Sequence, residues 1–212
     1  MVPSAVASPG PDEVEMIRRH LLVWRRRLGP AAVAAQSRDA GQVASAAIEA
    51  ALGLIPTRVC SYVAKRGEID PAAVTSCWWP SPEVALPLVA GERLEFVMGA
   101  GATAPGAFGT EEPVGGIPVG VEWAQVVLVP VVAFGDDGTR VGHGKGFYDR
   151  ALAGLTGVGN RPLLVGLAYD EQEITGLRPA PWDVPMDAIA TPTRWRTARP
   201  VGTSDGDQPV AD

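Results

Sequence analysis

The 212-residue chain carries only two cysteines, Cys60 and Cys77. Two are too few for a disulfide framework, and a separation of 17 positions gives neither the nearby partner that a metal-binding Cys pair needs. That usage fits a reducing cytoplasm. No apolar run approaches the roughly 18 residues that a membrane-spanning helix requires. The N-terminus lacks the basic segment and apolar core of a secretory signal; residues 1–11, rich in Pro, Ser and Ala, read as a disordered leader. Basic charge is also scarce, with Lys+Arg 18 against Asp+Glu 24 and a formal net charge of -6. This excludes a broad nucleic-acid-binding face, which needs a positive surface.

What is plentiful is glycine and proline, 25 and 20 residues, near a fifth of the chain. The usual share is about 12%, so a plain helical bundle is excluded and many turns between short elements are expected. Hydrophobic residues at 46% and charged residues at 20% are ordinary for a globular protein. At about 150 residues per domain, the chain reads as one domain over residues 12–198, with a disordered polar tail over 199–212.

Apolar spacing predicts a first helix over residues 12–28, capped by Asp12 and ended by Pro30, and an Ala-rich second helix over 38–54, stopped by Pro56. Residues 58–63 read as a buried strand, and Pro71 starts a short helix running to residue 77. Residues 84–88 and 94–98 are short strands. The clearest strand is Val126-Val-Leu-Val129, uniformly apolar and bounded by Pro130; residues 163–167 are of the same kind, and a helix over 146–152 lies between them. Buried apolar strands alternating with helices predict an α/β fold with a mostly parallel sheet.

The strongest motif follows the best strand: Arg140-Val141-Gly142-His143-Gly144-Lys145-Gly146-Phe147-Tyr148-Asp149-Arg150. Alternating glycines let backbone N–H groups approach a ligand without Cβ obstruction. Arg140 and Lys145 add positive charge, a helix start adds oriented donors, and Asp149 is placed to hold Mg²⁺. These are the parts of a polyphosphate site, beyond a strand end where open α/β sheets bind ligands. The loop is neither a Walker A motif, because Gly146 rather than Ser or Thr follows the lysine, nor a dinucleotide fingerprint.

The run Leu-Val-Pro-x-x-Ala-Phe, then Gly-x-Arg-x-Gly-x-Gly-x-Gly-Phe-Tyr-Asp-Arg, resembles the signature of the 5-formyltetrahydrofolate cyclo-ligase family. Further segments come in that family's order: Gly67-Glu68-Ile69-Asp70, Val84-Ala-Leu-Pro87, Leu94-Glu-Phe-Val97, Glu111-Glu112-Pro113, Gly166-Leu-Ala-Tyr169 and Asp183-Val-Pro-Met-Asp187. The resemblance covers residues 14–193. It implies a three-layer sandwich like the sugar-isomerase and CoA-transferase-like fold, and conversion of 5-formyltetrahydrofolate and ATP to 5,10-methenyltetrahydrofolate, ADP and phosphate with Mg²⁺. It implies a cytoplasmic enzyme, a monomer or weak dimer, with no membrane or nucleic-acid partner.

Carried over residue by residue, the resemblance gives catalytic roles to Arg140, Lys145 and Tyr148. It gives ATP contacts to Val14, Arg18 and every residue from Arg140 through Tyr148, including Val141, Gly142, His143, Gly144, Gly146 and Phe147. Val63 and Glu68 fall at folate-binding positions with Tyr148, Glu68 matching a glutamate that contacts the pterin-proximal part. Asp149 matches the Mg²⁺ carboxylate, and Asp187 is a second candidate. Read from the residues alone, Gly-Glu-Ile-Asp is only a turn and a helix start, Asp187 is equally an ordinary surface carboxylate, and residues 25–27 are equally a solvated helix face or, with Arg18 and Arg19, a phosphate-binding basic cluster. Trp78, Trp79, Phe108 and Trp182 are able to stack on a pterin but suit core or rim packing better. One departure stands out: the family has a lysine in its first helix, four residues before an arginine, and this chain has Val14 before Arg18. Two other readings stay open, an ATP-dependent kinase or ligase acting on another anion, and a folate- or nucleotide-binding protein without catalysis.

Overall fold

A computed structural model describes residues 8–99, 101–106, 109, 111–155 and 161–198. Residues 1–7 of the expected leader, the tail 199–212 and Phe108 lie outside the described residues.

Twelve strands and four α-helices are formed among the described residues. The central sheet has eight strands. Its middle is parallel: β1 (Arg58–Cys60) pairs with β2 (Glu83–Ala90) and β7 (Val126–Pro130), β7 with β10 (Leu163–Leu167), and β10 with β11 (Ala188–Ala190). Antiparallel strands close the edges: β3 (Arg93–Met98) and β6 (Ile117–Val119) beyond β2, and β12 (Trp195–Thr197) beyond β11. Two small ribbons stand outside it, β4 (Ala102–Pro105) with β5 (Glu111–Val114), and β8 (Ala133–Phe134) with β9 (Arg140–Val141).

Strand β7 shows why the expected α/β fold holds. Val126 and Leu128 point into one core with Ala40, Ala44 and Ile48 of α2 (Pro30–Leu52) and Val74 of α3 (Ala72–Thr75). Val127 and Val129 point into a second core with Leu152 of α4 (Phe147–Leu152). A strand covered on both faces has no polar side, so its apolar run is unbroken. Helices on both faces make three layers. Small residues on α2 allow a close approach: a Cβ added to Gly41 would stand 2.5 Å from the Ala73 carbonyl oxygen. Among the described residues, no helix is long and apolar enough to cross a membrane.

The helix boundaries correct the sequence reading. The first helix, α1 (Pro11–Arg25), is preceded by Gly10 rather than capped by Asp12, and Glu13 accepts the Gly10 N–H at 2.8 Å. Pro30 does not end that helix; it is the first residue of α2, where a missing N–H costs nothing. The second helix therefore starts eight residues before Arg38. It stops at Leu52, where Gly53 adopts a left-handed φ of 68°. The helix expected over 71–77 is one turn, with the Asp70 carboxylate accepting the Ala72 N–H at 3.0 Å.

Candidate active site

A cleft of about 520 Å³ opens at the carboxyl ends of β1, β2 and β7. Its walls come from several elements. Val14 and Arg18 project from α1, Tyr62, Val63, Lys65 and Glu68 from the loop after β1, Pro87 and Val89 from β2, and every residue from Arg140 to Arg150 from β9 into α4. The structure thus gathers every sequence-nominated residue except Asp187 around one space.

The glycine loop is positioned by a hairpin. After β7 the chain passes through β8, turns at residues 135–139 and returns as β9. Asp137 accepts the Thr139 N–H at 2.9 Å, and Gly138 takes a φ of 82° that a side chain disfavours. Residues 142–146 then swing across the cleft, with Gly144 and Gly146 at φ 83° and 65°. The helix that follows has only six residues, so the side chains rather than a long helix dipole set the local charge.

Arg140 is buried beneath this loop. Its guanidinium donates to Asp149 at 2.8 Å and lies 5.7 Å from the centre of the Tyr148 ring. Arg18 donates to the Gly142 carbonyl at 2.9 Å and pairs with Glu15, tying α1 to the loop. Lys145 is exposed at the rim. Burial and the nearby Glu68 push the Tyr148 phenol up, so it stays protonated and able to donate.

Glu68 is 4% exposed, which a carboxylate tolerates only with partners. Arg25 donates to one of its oxygens at 3.1 Å, and the Lys65 backbone N–H donates to the other at 3.0 Å. Burial raises the Glu68 pKa, against the opposing pull of Arg25 and the Lys65 N–H. Arg25 itself is 1% exposed and also donates to the Val131 carbonyl at 3.2 Å. A solvated helix face, one of the two readings open for residues 25–27, is therefore wrong at Arg25. Its partner lies 43 positions away, beyond the reach of local pattern. His143 completes the cluster, with Nε2 at 3.3 Å from Arg25 and 3.5 Å from Glu68. Burial first, then the cations Arg25, Lys65, Arg66 and Arg140, push its pKa down to about 4. The ring is neutral at pH 7, so it offers phosphate no charge; toward Arg25, which only donates, Nε2 acts as acceptor in the tautomer protonated at Nδ1.

Asp187 stands elsewhere. It lies just before β11, at the amino end of the parallel strands, opposite the cleft. Arg161 grips its two oxygens at 2.7 and 2.6 Å, and the Leu164 N–H adds a bond at 2.8 Å. The carboxylate is committed to joining β10 to β11, and its nomination as a metal ligand is withdrawn. Asp183, which the sequence reading passed over, lines the cleft with Asp149. Burial first, then the Asp149 charge among its neighbours, raises its pKa. Of the stacking candidates, Trp78 is buried in the core, Trp79 is 85% exposed and away from the cleft lining, and Trp182 lines the cleft.

Known proteins resemble the chain in sequence and fold. The model of the 5-formyltetrahydrofolate cyclo-ligase family matches residues 12–192. Over 70 residues the chain is 41% identical to the 5-formyltetrahydrofolate cyclo-ligase of Escherichia coli, covering 33% of this chain and 37% of that protein. Over 68 residues it is 43% identical to the protein of the same name from Saccharomyces cerevisiae, covering 31% and 32%. The aligned stretches thus span about a third of the length of these relatives. The solved 5,10-methenyltetrahydrofolate synthetase of Aquifex aeolicus matches with a TM-score of 0.70 at 28% identity, covering 91% of this chain and 96% of that one. The synthetase of Mycoplasma pneumoniae shares the fold, with a TM-score of 0.66 at 20% identity over 85% of this chain and 99% of that one. With residues 12–192 matched, the chain belongs to the 5-formyltetrahydrofolate cyclo-ligase family.

Proposed function

We propose that the chain converts 5-formyltetrahydrofolate and ATP to 5,10-methenyltetrahydrofolate, ADP and phosphate. The observation that carries the reading is one cleft with two chemically different walls. A glycine loop backed by Arg140 and Lys145 suits phosphates, and a buried, Arg25-held Glu68 suits the N–H donors of a pterin.

The chemistry explains why both walls are needed. The formyl group on N5 is an amide, and its oxygen is a poor leaving group. Transfer of the terminal phosphoryl to that oxygen activates it; N10 then attacks the same carbon and phosphate departs. Positioning two anions and neutralising the phosphoryl oxygens supply the rate. In this proposal the backbone of Gly142, Gly144 and Gly146 lies along the phosphates, with Val141, His143 and Phe147 shaping the loop and Val14 and Arg18 closing it from α1. Arg140 and Lys145 neutralise charge. Tyr148 donates toward the formyl oxygen, and Val63 lines the folate side with Glu68.

Mg²⁺ is part of the proposal. Among the described residues there is no group of three or more His, Cys, Asp or Glu that would cage an ion. Two cleft carboxylates, Asp149 and Asp183, fit an ion that takes its remaining oxygens from phosphates and water. When bound, the ion supplies further neutralisation of the phosphates. We place the enzyme in the cytoplasm, in keeping with the free thiols of Cys60 and Cys77, as a single catalytic unit over residues 12–198 that works as a monomer or weak dimer.

The test is methenyltetrahydrofolate formation, followed by its ultraviolet absorbance, with phosphate release followed in parallel. Product and phosphate in equal amounts, each requiring both substrates, is the expected result. Phosphate release that ignores the folate contradicts it and favours an ATP-dependent enzyme of another anion.

A further inference from the structure

We infer that Lys65 is a catalytic cation that meets the terminal phosphoryl group of ATP where it passes to the folate, an inference resting on the activity proposed above. The chain has only two lysines, Lys65 and Lys145, among 18 basic residues, and both line the same cleft. Everywhere else the positive charge is arginine. An arginine is a flat fork suited to fixed partners, whereas a lysine is a compact charge on a swinging stem, suited to a moving phosphoryl group.

The other cations of the cleft are committed. Arg140 is held by Asp149, Arg18 by Glu15 and the Gly142 carbonyl, and Arg150 by the carbonyls of Glu92 and Lys145. Lys65 spends only its backbone N–H, on Glu68 at 3.0 Å. Among the described residues its ammonium makes no hydrogen bond or ion pair, and the side chain is half-buried. Such a charge calls for an anion that arrives with a ligand.

Its place is set from two sides. The loop that carries it also carries Glu68, on the folate wall. Its charge is felt across the cleft at His143 of the glycine loop, where it helps to depress the imidazole pKa. Lys65 thus lines the same cleft as Glu68 on one side and His143 and Lys145 of the glycine loop on the other. Burial lowers its own pKa, with Arg66 and Arg25 adding to the effect and the Glu68 and Glu112 charges opposing it only in part, a cost that a bound anion would remove. From α1 the cleft receives Val14 and Arg18 and no lysine.

In the reaction the bond between the β–γ bridging oxygen and the terminal phosphorus breaks, the electron pair leaving with ADP. A bond from the formyl oxygen to phosphorus forms. N10 then bonds to the formyl carbon, the carbon–oxygen bond breaks with its pair leaving on phosphate, and the N10 proton passes to water. Lys65 keeps its protons throughout and offsets the charge on the phosphoryl oxygens.

The test is equilibrium binding of ATP and of ADP, each with Mg²⁺, to the full chain and to Lys65→Met, which keeps the stem and removes the charge. A lost charge-assisted contact should weaken ATP by about 10–100-fold. ADP, lacking the terminal phosphate, should stay within about twofold. Lys65→Arg should recover most of the ATP affinity, and melting temperatures should match. Equal weakening of ATP and ADP overturns the inference, as does unchanged ATP affinity, or a loss confined to 5-formyltetrahydrofolate. A wild-type chain that forms no methenyl product sinks the proposed activity instead, while the ATP-to-ADP contrast still decides the place of Lys65.

Discussion

Arg25 and Glu68, almost wholly buried and 3.1 Å apart, join the first helix to the loop that follows β1 and walls one side of the cleft. Two charges out of water are tolerable only together, and removal of one leaves the other buried and uncompensated. Arg25→Leu should cost about 3–5 kcal/mol of stability, read by denaturant unfolding. Adding Glu68→Leu to that variant should recover part of the loss. A single variant as stable as the parent would show the pair to be unimportant to the fold.

Glu68→Gln keeps the shape and one acceptor but removes the charge that pterin N–H groups are proposed to meet. A hydrogen bond to a charged group contributes about 1.5–3 kcal/mol, so KM for 5-formyltetrahydrofolate should rise roughly 10–100-fold. KM for ATP should hardly move. Equal weakening of both substrates would transfer Glu68 to the nucleotide side.

Lys145 sits at the rim of the glycine loop. Lys145→Ala should lower turnover by about 10²–10³, by analogy with the loss of one transition-state donor, and leave folate binding intact. Near-normal turnover would remove the loop from the phosphate site.

His143 sets a pH dependence of stability. Its folded pKa, about 4, lies below the ordinary 6.5, so the unfolded chain takes up the proton first as pH falls. The His143 contribution is constant above about pH 6.5 and is lost between there and pH 4, by about 2–3 kcal/mol in all. Glu68, whose folded pKa is raised, works with the opposite sign, but it is present in both proteins. Urea unfolding at pH 7 and at pH 5 should show a smaller drop for His143→Gln than for the parent. Identical drops would mean that the imidazole is not held neutral by its surroundings.

Asp187→Asn separates structure from metal binding. Loss of a partly exposed, two-pronged ion pair with Arg161 should cost about 1 kcal/mol and leave the proposed Mg²⁺ dependence of turnover unchanged. A raised Mg²⁺ requirement would restore Asp187 to the metal site.

The legible and illegible parts of the sequence divide along physical lines. Strands β7 and β10 were readable because both faces are covered, which leaves an unbroken apolar run in each. The glycine loop was readable because its residue types are rare in that combination. Pro30 was misread because proline marks a helix start as readily as a stop. The two-residue strands β8 and β9 are too short to show any period. Arg25 was ambiguous because its partner comes from a distant loop. Asp187 was left ambiguous because the arginine that grips it, Arg161, lies 26 positions away. Lys65 was overlooked because a lysine in a turn looks like a surface residue until the cleft is seen.

The central claim is that one cleft holds a nucleotide and a folate together and couples them. The measurement that bears on it most directly is the ultraviolet absorbance of methenyltetrahydrofolate, recorded with purified full-length chain, 5-formyltetrahydrofolate and Mg²⁺, before and after ATP is added. A rise that begins only with ATP, and that releases one phosphate per product, is the result expected. No rise with both substrates present, from a chain that is folded and binds each of them, would contradict the claim.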